Sequence, residues 1–163
     1  MRRTLIILGS VVSIMALTTT VALGAITFHS GPTVVFNEDG SATATGNLSG
    51  LGNTPATATL QVTNSFTYTC QNKGGNTAPG QTSVEVVGAP GTQELGETSK
   101  NGRSNLSVTG PAPDPDDTIS GNAAGCPNGN WSGVNPTATG PATALLTITQ
   151  DGDIIFQQTF TDA

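Results

Sequence analysis

The sequence predicts an all-β protein: a single antiparallel β-sandwich of immunoglobulin-like type, with seven to nine strands. Three observations carry that expectation. Beyond the first 25 residues no stretch has apolar side chains recurring at spacings of three and four, so no substantial helix is expected. Short β-branched runs recur between clusters of Gly, Pro, Asn and Asp, and the chain spends 21 Gly and 10 Pro in 163 residues on such punctuation. Finally, Leu and long charged side chains are scarce while Thr, Ser, Asn, Ala and Val dominate, as suits half-buried pleated surfaces rather than helices.

The first segment, MRRTLIILGSVVSIMALTTTVALGA, stands apart. Arg2 and Arg3 open it, Leu5 to Leu17 form an apolar stretch, and Ala22-Leu23-Gly24 supplies small residues for a peptidase. Residues 1–24 therefore read as a signal peptide, with cleavage after residue 24 or 25, and residues 25–163 as one domain. Polar interruptions at Gly9, Ser10, Ser13 and Thr18 to Thr20 argue against a retained membrane anchor, which wants about 20 mostly apolar residues. The expected location is secreted or extracellular. After cleavage three basic residues (Lys73, Lys100, Arg103) face eleven acidic ones, a net charge of −8. So acidic a chain with no basic patch is not expected to bind nucleic acid or an anionic membrane surface.

Candidate strands follow in order at 25–28, 33–36, 41–48, 56–63, 65–71, 82–87, 103–109, 142–150 and 153–160. In TVVFNEDGSATAT the three-residue loop Glu38-Asp39-Gly40 pairs Phe36 with Ala42 and Val34 with Ala44. At the other end, ATALLTITQDGDIIFQQTF turns about Asp151-Gly152. A three-residue loop there sets Thr149 against Asp153, Ile148 against Ile154 and Leu146 against Phe156. One face then carries Ala144, Leu146, Ile148, Ile154, Phe156 and Phe160. The short 25–28 strand, followed by Gly31-Pro32, could leave its own domain and add to a neighbour's edge, which makes a strand-exchange filament a variant of the reading.

In the middle, Phe66, Tyr68 and Cys70 alternate to one side. Cys70 and Cys126 are the only cysteines, and an even count in an exported chain reads as a disulfide. If they are joined, that side is inward. The long run from Gly110 to Gly140 shows little strand signal; Cys126 would pin it to the sheet, and Trp131, five residues on, would pack over the bridge.

Site chemistry is sparse. One histidine, no thiol outside the bridge, no nucleophile elbow and no phosphate loop leave catalysis without its usual parts. His29 is expected at the surface or an edge, with no nucleophile or orienting group assigned to it. Asp114, Asp116 and Asp117 put three carboxylates within four residues, the oxygen chemistry calcium takes, but without the spacing, glycine and closing glutamate of an EF-hand. Six of the seven aromatics lie on strands, so Trp131 alone is available as a platform for sugar. Asn47, Asn105 and Asn130 each begin an Asn-x-Ser glycosylation pattern. In TCQNKGGNTAPGQ, Gly74-Gly75 and Pro79-Gly80 signal turns, with Asn72, Asn76 and Gln81 placed to satisfy loop backbone.

That segment and GNLSGLGNTPATATLQV, from Gly46 to Val62, together resemble a pattern in a family of small exported bacterial β-sandwich proteins. The resemblance covers about the first half of the domain. It implies secretion and a β fold and carries no activity, cofactor or site residue to transfer. The expected function is that of a structural or adhesive protein with no catalytic site and no cofactor, at the cell surface or in the extracellular matrix. Its partners would be further copies or cell-surface components. The alternatives are a calcium- or carbohydrate-binding module and a small secreted hydrolase.

Overall fold

A computed structural model describes residues 26–52, 54–96 and 103–162. Residues 1–25, which hold the expected signal peptide and Ala25 of the first candidate strand, lie outside the described residues. The described strands number ten: β1 (Thr27–Phe36), β2 (Ala42–Ser49), β3 (Ala56–Gln71), β4 (Thr77–Pro79), β5 (Val84–Val87), β6 (Gly91–Leu95), β7 (Arg103–Gly110), β8 (Thr118–Ser120), β9 (Ser132–Gln150) and β10 (Asp153–Thr161). They form two antiparallel sheets packed face to face, the sandwich that the sequence predicts.

The smaller sheet has the order β1-β2-β7. The larger is built on one long ladder, β3 against β9, from Ala56↔Gln150 to Gln71↔Ser132. Short strands flank it. β6, β5 and β4 line the free side of β3 in succession, while β10 and β8 divide the free side of β9.

Strict alternation explains β3. Ala56, Ala58, Leu60 and Val62, then Phe66, Tyr68 and Cys70, are buried, and the residues between them are only partly covered. The expected break at Asn64 is a register shift instead, so the two candidate strands there are one. β9 shows why its first half escapes a reading by pattern. Pro136 and Pro141 argue against a strand, yet both fall at register shifts where proline's missing N–H costs the ladder nothing. Asn135 (φ 52°) and Gly140 (φ 76°) supply the left-handed backbone at these two bulges. β1 likewise merges two candidate strands, because two register shifts around Gly31-Pro32 absorb the interruption. The segment at 27–28 is therefore part of a ten-residue strand, with Thr27 and Phe28 paired to Ser49 and Leu48. Strands β4, β6 and β8 are short edge pieces with no alternation long enough to read.

The main core lies between the sheets. Ala42, Ala44, Leu48, Leu106 and Val108 from the smaller sheet meet Ala58, Leu60, Val62, Leu95, Ala144, Leu146 and Ile148 from the larger. Each fully buried Leu, Ile or Val side chain here contributes about 1.5–3 kcal/mol.

The first hairpin has the expected register, Phe36↔Ala42 and Val34↔Ala44, with Gly40 at φ 83°. The last does not. Asp151 (φ 53°) and Gly152 (φ 87°) form a two-residue loop, so Asp153 faces Gln150 and Ile154 faces Thr149. A bulge at Ile155 then restores the face, setting Phe156 against Ile148 and Phe160 against Ala144. Phe156 and Phe160 pack on the core as expected, whereas Ile154 is 51% exposed. The two successive positive-φ residues favour the tight loop, and one extra residue in β10 corrects the register that it would otherwise spoil.

Candidate binding site at the disulfide end

Past Val62, β3 and β9 continue together to Gln71 and Ser132. A second cluster forms here from Phe66, Tyr68, Cys70 and Ala124, with Ala78, Val84, Val86, Ile119, Cys126 and Trp131 against it. It contains no side chain from β1, β2 or β7; the covering is made of short strands and connections. Cys70 is fully buried and bonded to Cys126, with Cα atoms 5.6 Å apart. Between Pro111 and Asp117 the chain is held by the Tyr68 hydroxyl, which donates to the Asp116 carbonyl at 3.1 Å. Burial first, then the charges of Asp116 and Asp117, push the Tyr68 hydroxyl above its ordinary value, so it stays a donor.

Two turns meet beside the bridge. In the first, Asn72 and Asn76 close a loop over Lys73, Gly74 and Gly75 (φ 80°), the same loop class as Glu38-Asp39-Gly40. The Asn72 side-chain oxygen accepts from the Gly74 and Asn76 amides, both at 2.9 Å. In the second, the Asn128 side-chain oxygen accepts from the Asn130 amide at 3.0 Å, and the Asn128 carbonyl accepts from the Trp131 amide. The Cys126 amide anchors that turn to the Gly121 carbonyl at 2.7 Å.

Between the turns lies an open concavity of about 520 Å³, lined by Asn72, Lys73, Gly74, Asn128, Asn130 and Trp131. The volume falls within the range of small-molecule sites. Trp131 is half-buried: one part packs on the bridge cluster, and it also forms part of the wall. The asparagine oxygens of Asn72 and Asn128 are occupied by their turns, whereas their amide N–H groups make no hydrogen bond within the described chain. Lys73 adds the one charge in the lining. An aromatic wall with amide donors and a cation suits a hydroxyl-rich ligand.

The sequence-predicted residues fall out differently. Trp131 sits on the bridge as expected and also borders the concavity. Asp114, Asp116 and Asp117 are exposed along the loop. Among the described residues no group of three or more His, Cys, Asp or Glu side chains is arranged to hold a metal ion. His29 is exposed and shares a hydrogen bond with the Ser49 hydroxyl at 2.8 Å, so a hydroxyl is within its reach after all. No carboxylate is bonded to the same ring among the described residues, and neither residue lines a concavity described here. Asn47 and Asn105, two of the three glycosylation patterns, face each other across β2 and β7 and bond to one another at 2.7 Å. Sequence reasoning missed Asn72, Lys73, Gly74, Asn128 and Asn130 as site residues, having read Asn72 and Gly74 only as parts of a turn and Asn130 only as a glycosylation pattern. The available signal was the bridge itself, because joining Cys70 to Cys126 brings both turns to one end of the molecule.

No protein-family model matches this chain, and no curated protein does.

Proposed function

We propose that this chain is an exported, non-catalytic adhesive module of immunoglobulin-like type, which binds saccharide at the concavity beside the Cys70–Cys126 bridge. The observation that carries the reading is Trp131, buttressed on one side by the bridge cluster while bordering a cleft lined with asparagine amides. A rigid aromatic surface offers the apolar face of a sugar ring a large contact area at small entropic cost, and the amides offer donors to ring hydroxyls. The disulfide supports the extracellular part of the reading, since such bonds persist in oxidising compartments. No described helix is long and apolar enough to cross a membrane. Lys73 points to saccharides that carry a carboxylate or another anion, because it places the only lining charge in a strongly acidic protein.

Retention on immobilised polysaccharides, both neutral and acidic, tests the reading. The protein is expected to be retained by at least one acidic polymer. Trp131→Ala should weaken binding about tenfold or more, as the loss of a central aromatic anchor does. Because Trp131 also packs on the cluster, Asn130→Ala and Lys73→Ala serve as exposed companions and should weaken binding with the fold intact. Failure of the unmodified protein to bind any polymer, or unchanged binding by all three variants, would overturn the proposal.

A further inference from the structure

We propose that β10 is an association edge, through which two copies of this chain join their larger sheets antiparallel into one continuous sheet. A sheet edge presents a row of N–H and C=O groups to any other strand, and natural edges are normally blunted against this. The other long edges of this molecule are blunted. β1 is broken by two register shifts and contains Pro32, which has no N–H to offer. The outer side of β7 is occupied by the Gln93 side chain, which donates to the Asn105 carbonyl at 3.0 Å and accepts from the Ser107 amide at 2.7 Å. The free side of β3 is shared out among β4, β5 and β6.

β10 differs from all of these. It runs nine residues, DIIFQQTFT, with no proline and no basic residue, and its one irregularity lies near its start at Ile155. From Phe156 to Thr161 it pairs without interruption to β9, and among the described residues no strand pairs with its other side. Exposed Ile154 adds apolar surface at one end.

The sequence of this edge complements itself. In an antiparallel pairing with a two-fold axis at Gln158, Gln158 of one copy lies opposite Gln158 of the other. Phe156 then faces Phe160, and Gln157 faces Thr159. Directly opposite residues share a face, so the phenylalanines extend the inner layer on either side of the joint. The two Gln158 side chains meet between them on that same face, and Gln157 and Thr159 lie on the other. No charge meets a like charge anywhere between Ile155 and Thr161, and this neutrality is what selects a second copy over a charged partner strand. The contact is isologous, so it closes at a dimer. An edge-only joint buries little surface and belongs with weak, concentration-dependent associations. The two-fold axis also reverses the strands. Because β10 pairs with the Thr143–Gln150 end of β9 and Trp131 adjoins the Ser132 end, the two concavities would lie at opposite ends of the dimer, placed to bridge two surfaces.

Light scattering on the purified protein across a wide concentration range tests this directly. The expected result is a reversible monomer–dimer equilibrium. Gln158→Lys sets like charges opposite each other at the two-fold axis and should weaken dimerisation at least tenfold, as should Gln158→Glu, with thermal midpoints close to that of the unmodified protein. Mixing the two variants should restore dimers, because opposite charges then meet. A monomer at every concentration, or variants that dimerise as well as the unmodified protein, would overturn the proposal. So would a mixture no more dimeric than its separate parts.

Discussion

Between Ala44 and Ile148 the two sheets face each other, and the interior is closed on both sides by alternating small and branched side chains. At the other end of the same ladder, beyond Val62, the smaller sheet contributes nothing to the buried cluster. Phe66, Tyr68 and Cys70 point as far inward as Leu60 does, but what covers them is three short strands, two turns and a sulfur–sulfur bond. One half is held by layer on layer. The other is held by tethering loops to a sheet. The difference teaches how this cleft forms: loops pinned at one point leave gaps between turns, and the concavity beside Trp131 lies in such a gap. A second concavity, around Gly31 and Gly46 of the smaller sheet, lies instead beside a register shift of β1.

The largest expected effect comes from removing the tether. The bridge joins residues 56 apart, and closing so long a loop restricts the unfolded chain by roughly 4 kcal/mol in the entropy model. The double variant Cys70→Ala/Cys126→Ala should lose stability on that scale in denaturant titrations. Hydrogen exchange should show protection lost first at Tyr68, Ala124 and Trp131 while the amides of Leu60 and Leu146 remain protected. Uniform loss of protection at both ends would show that the two halves are not separable.

The complementary variant attacks the layered half. Leu146 is fully buried, and Leu146→Ala should cost about 3 kcal/mol, lowering the thermal midpoint by about 10 °C. Unlike the cysteine variant, it should loosen both halves together, because β9 belongs to both. A shift of only a degree or two would mean that the space collapses around the missing side chain.

The contrast between the halves also decides how much was legible in the sequence. Where two sheets face each other, one side of β2 and of the first half of β3 carries no polar side chain. The alternation of β2 and β3 and the register of the first hairpin could therefore be read directly. The last hairpin misled because Asp151-Gly152 supports two loop lengths, and the bulge that rescues the shorter one leaves no mark in DIIFQQTF. In the tethered half the buried positions are few and separated by glycine and proline, so β4, β8 and the start of β9 carry no period to detect. The site was legible only as Trp131 beside a bridged cysteine. Its other wall comes from a turn 57 residues away in sequence that only the bridge brings near.

A single added methyl should distinguish tight from loose covering inside the tethered half. Gly133 is buried where β9 passes under the connection carrying Cys126. A Cβ there would lie 2.6 Å from the Ala124 Cβ, 2.9 Å from the Ile119 Cγ1 and 3.1 Å from the Tyr68 Cβ. Gly133→Ala should therefore cost about 2 kcal/mol, as overpacking does, and should weaken saccharide binding by displacing the connection. At Gly129, in the turn that carries Asn128 and Asn130, the nearest atoms are those of the Asn122 side chain, at 3.3 Å and beyond. Gly129→Ala should accordingly leave the thermal midpoint almost unchanged. Equal effects at the two positions would mean that the covering connection gives way as easily as the turn.

The smallest effect lies in a pair of loops, one in each half, that share a backbone shape and differ in what fastens them. Asn37 and Ser41 close the loop over Glu38-Asp39-Gly40, and Asn72 and Asn76 close the loop over Lys73-Gly74-Gly75. In the first, a carboxylate oxygen of Asp39 accepts from the Ser41 hydroxyl at 2.6 Å and from the Ser41 amide at 3.0 Å. In the second, the amide oxygen of Asn72 accepts from two backbone amides. The hydroxyl bond, then the backbone bond, hold the Asp39 carboxyl below its ordinary value of 3.8. A carboxyl depressed in the folded state contributes stability above its unfolded value and loses it as the pH falls through the folded one. Asp39→Ala should thus lower the thermal midpoint slightly at neutral pH, and the gap to the unmodified protein should close as the solution is taken below pH 3.8. Asn72→Ala removes an acceptor that does not titrate, so its deficit should stay constant over the same acid range. If the two deficits behave alike, the fastening of the first loop owes nothing to the charge on Asp39.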